Sequence, residues 1–244
     1  MNIWIINHYA MPPKYEVRIR NNMMAKYLIK KGYNVKIFSA STIHNTNINL
    51  INNKKIKFLE KDYDGLNFVH ISTSGYEGNG ILRIVNMLQF PLRFYNVAKK
   101  IKQKPNIIIS NSLSIFAITP YLIAKKFKAR FIEEVRDLWP ESIVAYKGIS
   151  KHNPIIWIMY KFEKWIYIKA DKIIFSMEGG KDYILDKKWE KDIDISKIQH
   201  INNGVDLDTF NYNKENYITI DEDLDDKNTF KVLYTGSIRQ ANNI

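Results

Sequence analysis

Three short clusters hold the residues whose types and spacing could do chemistry. In the first, HYAMPPKYEVRIR, His8 and Tyr9 precede two arginines, Arg18 and Arg20. Two arginines close to the start of a helix form an anion-binding corner, because backbone N–H groups at that end add to their charge. The alternative is that both guanidinium groups simply point into solvent.

The second cluster, EEVRDLWPES, contains Arg136, Asp137, Trp139 and Glu141. A carboxylate just after a strand can act as a general base toward a hydroxyl group. Trp139 offers an apolar face to a sugar ring or to a hydrophobic loop. The alternative is that Asp137 caps the following turn, while Trp139 and Pro140 serve in packing.

The third cluster, INNGVD, spans Ile201–Asp206. Its pair Asn203 and Gly204 permits a positive φ, which is typical of a turn. Taken alone, this cluster predicts a turn and no chemistry.

Several kinds of site are excluded or disfavoured. The chain has no cysteine, so thiolate zinc sites, iron–sulfur clusters and cysteine nucleophiles are ruled out. It also lacks the GxxxxGK[ST], GxGxxG and GxSxG patterns. The five histidines are widely spread, and the acidic run Asp221–Asp226 does not have the spacing of a calcium loop. We therefore expect no metal and no cofactor.

Short apolar runs alternate with helical patterns along the chain. Strands are predicted at Asn2–Ile6, Val35–Phe38, Leu66–Ile71, Asn106–Ser110, Arg130–Val135, Lys172–Ser176, Ile198–Ile201 and Lys231–Tyr234. Helices are predicted at Glu16–Lys31, Ile81–Lys102, Ile115–Lys126, Ile155–Ala170 and Lys181–Asp186. This order predicts an α/β fold with a Rossmann-like, doubly wound parallel sheet.

In such sheets, ligands bind beyond the carboxyl ends of the strands. The loops after the strands are therefore the candidate binding loops, and among them is the polar loop that begins with Asn111 and Ser112.

The chain divides into three segments. Residues 1–211 are predicted to form the Rossmann-like domain, and residues 212–229 form an acidic linker. Residues 230–244 have the pattern of a strand, a glycine loop and the start of a helix. We expect them to open a second domain that the sequence leaves incomplete.

Charge is unevenly distributed. Lys and Arg number 37 against 25 acidic residues, for a net charge of +12. Residues 211–244 carry a net charge of −2, which leaves +14 to residues 1–210. A basic body can meet nucleic acid, an anionic membrane or a phosphorylated substrate, or it can be a solvated lysine surface.

Membrane spans and targeting signals are not predicted. The uncharged stretch Pro105–Ala124 is better described as a strand, a polar loop and a helix than as a span. The amphipathic run Ile81–Lys104, which Pro91 should kink, is the better interfacial candidate. The run Pro154–Lys172 is apolar nearly all round and is expected to be buried.

Taken in order, five segments resemble family 4 glycosyltransferases, in the branch that carries DLWPES and serves capsule and O-antigen assembly. The segments are NHYAMPP, EVRDLWPES, ADKIIFSMEGGKDYI, INNGVDLDTF and VLYTGSIRQANNI. The resemblance implies a GT-B enzyme whose N-terminal domain holds the acceptor and whose C-terminal domain holds a nucleotide-sugar. It further implies a retaining reaction that needs no metal. The acceptor would be a glycan or a polyprenyl-linked sugar, in the cytoplasm at the inner face of the membrane.

The resemblance also implies roles for particular residues. Asp137 matches the family's aspartate after the fifth strand, but Arg136 stands where many members have a histidine. The first loop lacks the glycines that many members have there. Acceptor contacts are expected from His8, Tyr9, Arg18, Arg20, Asn111, Ser112, Arg136 and Glu141. Donor contacts are expected from Gly236 and Ser237, and the interdomain turn matches at Asn203, Gly204 and Asp206.

The family's lysine and glutamates that bind the donor would fall beyond residue 244, so we expect this chain by itself to be inactive. A non-catalytic alternative is a stand-alone Rossmann-like subunit that binds the acceptor for a separate donor-domain partner. A nucleic-acid binder ranks last, because the basic residues are not concentrated in one motif.

Overall fold

The computed structural model describes residues 1–15, 20–44, 46–53, 55–76, 78, 80–111, 116–218 and 220–236. Within this part of the chain, eight strands form one sheet in the order β3-β4-β2-β1-β5-β6-β7-β8. The strands are β1 Asn2–Ile6, β2 Asn34–Ala40, β3 Phe58–Tyr63, β4 Leu66–Ile71, β5 Ile107–Ser110, β6 Arg130–Val135, β7 Lys172–Phe175 and β8 Ile198–His200. Every neighbouring pair is parallel except β3 with β4, which is antiparallel.

Helices cover both faces of this sheet. They are α1 Arg20–Lys30, α2 Ile81–Ala98, α3 Ile118–Phe127, α4 Glu141–Lys147, α5 Pro154–Lys169, α6 Gly180–Asp186, α7 Leu207–Asn216 and α8 Glu222–Asp225. In β1, Ile3 and Ile5 face the layer of α1, whereas Trp4 and Ile6 face the layer of α2, α3 and α5. Both faces of the strand are therefore buried, which explains its continuous apolar sequence.

The predicted parallel α/β sheet is confirmed, and one predicted strand is wrong. Lys231–Tyr234 is irregular and mostly exposed, with no strand of the described chain beside it. A strand needs a neighbour to satisfy its backbone N–H and C=O groups, and this segment lacks one here. Helices α7 and α8 also lie in and beside the predicted linker, and Asp206 caps the first of them by accepting from the Thr209 amide.

Strand β3 and the helices α4, α7 and α8 were absent from the sequence prediction. Strand β3 pairs with β4 through a tight hairpin turn in which Asp64 and Gly65 both have positive φ. An Asp-Gly pair between two strand-like runs is a strong hairpin signal, so this turn could have revealed β3.

Helix α2 continues through the buried Pro91 from Ile81 to Ala98. Its outer surface carries an apolar stripe, with exposed fractions of 78% at Ile81, 38% at Val85, 46% at Leu88 and 65% at Leu92. These residues recur every three or four positions and therefore share one helix face.

Helix α5 is less enclosed than its sequence suggests. Ile155, Trp157 and Ile158 are exposed, so the prediction that this helix is buried all round is wrong for its first turns. Only its inner face, with Ile156 and Ile166, packs into the core. No helix in the described segments combines the length and the apolarity needed to cross a bilayer.

Candidate functional site

The candidate site lies where the parallel strands end. The carboxyl ends of β1, β2, β4, β5 and β6 all meet at one edge of the sheet. The loops at this edge contribute His8, Thr42, Ser74, Asn111 and Arg136. We call this region the carboxyl edge.

At the carboxyl edge, His8 is held in an aromatic stack. Its ring lies between Tyr9, at 4.4 Å and nearly parallel, and Phe90, at 5.0 Å. His8 Nε2 lies 2.6 Å from Oδ1 of Asn86. The Asn86 amide nitrogen donates to Thr42 Oγ1 and to the Ser74 carbonyl, which directs its oxygen toward His8.

This arrangement sets the protonation of His8. Burial is the main influence and lowers the pKa of His8 from 6.5 to about 4, although the hydrogen bond to Asn86 acts in the opposite direction. The imidazole is therefore neutral at pH 7. It donates from Nε2 to Asn86 and keeps Nδ1 as an acceptor.

A pocket of about 370 Å³ opens beside this stack. It lies between the loops after β2 and β4 and the start of α2, and it is lined by Thr42, Thr46, Asn47, Ile48, Asn49, Gly75, Tyr76 and Leu82. The lining mixes hydroxyl and amide groups with apolar surface, and the volume falls in the range of small-ligand sites. The Tyr9 hydroxyl, close to His44, is buried without a hydrogen-bond partner among the described residues.

A second group of polar residues surrounds the buried Glu134 on β6. Its carboxylate accepts from Arg20 Nε at 2.6 Å, from Arg136 at 2.9 Å and from Asn111 Nδ2 at 3.1 Å. The Asn111 oxygen in turn accepts from Asn7. Two guanidinium groups against one carboxylate leave the cluster with a net positive charge.

The structure thus brings Arg20, Asn111 and Arg136 together around the carboxylate of Glu134, which the sequence prediction did not include. That these three residues contact an acceptor stays a prediction. Arg20 also donates to the carbonyls of Ile201 and Asn202, so most of its donors are occupied within the chain. The signal for Glu134 was present in the sequence, since two glutamates inside an apolar parallel strand require partners.

Asp137 lies two residues beyond β6 and is exposed. Its carboxylate forms no hydrogen bond or ion pair with another described residue. A cis peptide bond joins Trp139 to Pro140 just after it. Asp137 is therefore a carboxylate of the carboxyl edge that is available to a ligand.

The carboxylate of Glu141, in contrast, is already bound by other side chains of this chain. It accepts from Lys187 and from the Tyr160 hydroxyl, both at 2.5 Å, and pairs with Lys151 at 2.9 Å. Partial burial would raise the pKa of Glu141, but the bonds from Lys187, Tyr160 and Lys151 outweigh it and lower the pKa to about 2. The same tyrosine and Lys187 border a second pocket, of about 240 Å³, that also contacts Trp157.

The remaining predicted site residues either lie outside the described residues or are exposed. Arg18, Ser112 and Ser237 lie outside the described residues. Gly236 is exposed at the end of an irregular segment, and Asn203 and Gly204 are exposed in the turn after β8. Gly204 does not adopt the positive φ that its sequence permits.

Among the described residues, no three His, Asp or Glu side chains are grouped to hold a metal ion.

No family model matches the sequence, and no curated protein matches it. The fold is similar to that of an E. coli structure titled for trehalose-6-phosphate with bound UDP-2-fluoro glucose. That match has a TM-score of 0.57 and 11% identity, and it covers 92% of this chain and 53% of the other.

Two further solved structures are similar to the chain. The N-terminal domain of Candida albicans trehalose-6-phosphate phosphatase has a TM-score of 0.54 and 10% identity, over 87% of this chain and 50% of that one. LpCGTa in complex with UDP has a TM-score of 0.52 and 6% identity, over 87% and 56%. The chain has the Rossmann-like fold of GT-B glycosyltransferases and spans about half the length of these structures.

Proposed function

We propose that this chain is the acceptor-binding half of a glycosyltransferase. The reaction would move a sugar, with retention, from a nucleotide-sugar to a glycan or a polyprenyl-linked acceptor in bacterial surface polysaccharide assembly. One observation carries the proposal. The carboxyl edge of a GT-B-like sheet combines a pocket of sugar size with the exposed carboxylate of Asp137 and a positively charged cluster around Glu134.

Each part of the edge has a role in this proposal. The acceptor extends along the carboxyl edge, from the 370 Å³ pocket beyond β2 and β4, past His8 and Tyr9 beyond β1, to Asp137 beyond β6. Asp137 accepts the proton of the acceptor hydroxyl or orients that hydroxyl. The net positive charge near Arg136 favours a diphosphate leaving group, and Gly236 and Ser237 would approach that group from the donor side. Most of the rate enhancement would come from positioning and charge stabilisation.

The family 4 branch remains part of the proposal and rests on the DLWPES and INNGVD motifs. Two of the similar structures contain UDP or a UDP-sugar. Both facts favour a nucleoside-diphosphate sugar as the donor. That the reaction needs no metal or other cofactor rests on the family resemblance alone.

We also propose a peripheral contact with an anionic membrane, through the exposed stripe of α2. Ile81, Val85, Leu88 and Leu92 form its apolar face. Lys99 and Lys100 follow directly after the helix and are exposed. An apolar stripe next to cations is the pattern of a helix that lies in a membrane interface.

The test uses the full-length protein with uridine- and guanosine-diphosphate sugars and a polyprenyl-diphosphate sugar as acceptor. We expect transfer with the wild-type protein and a loss of at least about 100-fold for Asp137→Asn. Asp64→Asn, in the remote β3–β4 turn, is the matched control and should retain the rate. Absence of both transfer and nucleotide-sugar binding would overturn the proposal. Transfer that occurs only after a second protein is added would instead favour the non-catalytic subunit.

A further inference from the structure

One side chain, Arg20, binds the start of the interdomain turn, where the Ile201 amide also donates to the Phe175 carbonyl. Its Nη2 atom donates to the Ile201 carbonyl at 2.8 Å, and Nη1 donates to the Asn202 carbonyl at 2.7 Å and to Asn203 Oδ1 at 3.1 Å. Three successive residues of the turn are therefore bound by one guanidinium group. That group comes from the first helix, 181 residues earlier in the sequence than Ile201.

Arg20 is itself fixed to the carboxyl edge. Its Nε donates to the fully buried carboxylate of Glu134 at 2.6 Å, and the Arg20 side chain is only 13% exposed. The next two residues of α1 are also tied down. Asn21 Oδ1 accepts from Arg136 at 2.5 Å, and Asn22 donates to the Met11 carbonyl at 3.0 Å. The position of the Arg20 guanidinium group is therefore fixed relative to the loops after β1 and β6.

The far end of the turn is held much less firmly. Asp206 lies 3.7 Å from Lys26, whose side chain is 43% exposed, and screened pairs of this kind contribute little. Asn203, Gly204 and Val205 are exposed. The chain is thus rigidly joined to the sheet up to Asn203, and the first residues that can pivot are those that follow.

We propose that Arg20 is a positioning residue, which fixes the interdomain turn to the acceptor site so that the half following the turn meets the carboxyl edge in one orientation. This inference rests on the proposed glycosyltransferase function. A lysine cannot replace Arg20 in this role. A single ammonium group lacks the planar fork that reaches a carboxylate on one side and two carbonyls on the other.

The experiment compares Arg20→Lys and Arg20→Gln in the full-length protein, with Lys26→Ala as the matched control on the same helix. We expect amide exchange of Ile201, whose N–H donates to the Phe175 carbonyl at 3.0 Å, to rise at least about 10-fold in both Arg20 variants. Nucleotide-sugar affinity should stay within about 2-fold of wild type. The transfer rate should fall at least about 30-fold, because misplacement by ~1 Å can cost about 100-fold in rate.

Lys26→Ala should leave exchange, affinity and rate unchanged. Unchanged exchange in the Arg20 variants would overturn the inference. So would a loss of nucleotide-sugar affinity in proportion to the rate, since Arg20 would then contact the donor directly. If Arg20→Gln does not fold, Arg20→Lys carries the test, because it keeps a cation beside Glu134.

The two proposals can fail separately. A wild-type protein that neither binds nor transfers a sugar would refute the glycosyltransferase function. The exchange measurement on the Ile201 amide would still decide whether Arg20 holds the turn.

Discussion

The Nε2 atom of His8 lies 2.6 Å from the amide oxygen of Asn86, which is fully buried on α2. This contact joins the loop after β1 to the helix that follows β4. Because Asn86 also binds Thr42 and Ser74, one amide connects three loops of the carboxyl edge. The shape of the candidate pocket therefore depends on the Asn86 side chain, together with contacts such as that between Thr42 and Thr73.

Asn86→Leu should lower the free energy of unfolding by about 2–4 kcal/mol. The substitution keeps the volume but leaves the Ser74 carbonyl and the His8 N–H without partners. Urea denaturation measures the change. Gln89→Leu is the matched control, since Gln89 binds the same Ser74 from a more exposed position, and it should cost less than about 1 kcal/mol. Equal effects of the two substitutions would contradict the central role of Asn86.

Acid should destabilise the protein through two buried histidines. Burial lowers the pKa of both His8 and His70 from 6.5 to about 4. Between these values the two histidines bind more protons in the unfolded chain. Their contribution to stability is therefore complete above pH 6.5 and is lost as the pH drops to 4. Each histidine accounts for about 3 kcal/mol at the acid end.

Denaturation curves recorded from pH 7 to pH 4 test this expectation. His8→Gln should lower the slope of stability against pH in that window by about 1.4 kcal/mol per pH unit, the share of one proton. A slope that does not change would show that His8 is not buried as a neutral imidazole.

Most of the sheet could be predicted from the sequence because most of its strands are short apolar runs that can be recognised from local sequence alone. Asn2–Ile6 and Leu66–Ile71 are short apolar runs with clear limits, and their predicted ends agree with the structure. Strand β3 carries Glu60, Lys61 and Asp62 and lies at the edge of the sheet, where it pairs with a strand on one side only. An edge strand can be polar, so β3 lacks the apolar run by which the buried strands were predicted.

The candidate site could be predicted only in part. His8, Asn111 and Arg136 follow predicted strands, so their place at the carboxyl edge was foreseeable. Their partners were not, since Arg20 and Glu134 are 114 residues apart in the sequence. Such pairing depends on the register of β6 against its neighbours, which no local pattern encodes.

Glu163 should make the protein less stable as the pH rises. Burial raises the pKa of its carboxyl from 4.5 to about 8, although the hydroxyls of Tyr167 and Tyr183 act in the opposite direction. The folded state thus holds an extra proton between pH 4.5 and 8, and this stability is lost as the pH rises through about 8.

Glu163→Gln should remove that loss, and its stability relative to wild type should grow between pH 5 and pH 8 by up to about 4 kcal/mol. Tyr183→Phe, which deletes one donor to the carboxylate, should move the loss to higher pH. If the stabilities of wild type and Glu163→Gln change with pH in the same way, Glu163 is not a buried neutral carboxyl group.

Glu134→Ala should cost about 3–5 kcal/mol, because it leaves Arg20 and Arg136 as partly buried cations without their carboxylate. Glu60→Ala is the matched control. Glu60 pairs with Lys36 at 2.5 Å but is 42% exposed, so its loss should cost no more than about 1 kcal/mol. Thermal and chemical unfolding would show the difference. Similar costs at both positions would mean that the buried cluster stabilises no more than a surface pair.

The apolar stripe of α2 should control binding to anionic vesicles. Replacing Val85, Leu88 and Leu92 together by Gln keeps the helix exposed but removes much of its apolar face. Binding to vesicles that contain phosphatidylglycerol should fall at least about 5-fold, since interfacial affinity scales with buried apolar area. Ile29→Gln, an exposed apolar position on α1, should bind as wild type does. A wild-type protein that stays in the supernatant after vesicle sedimentation would refute the membrane contact.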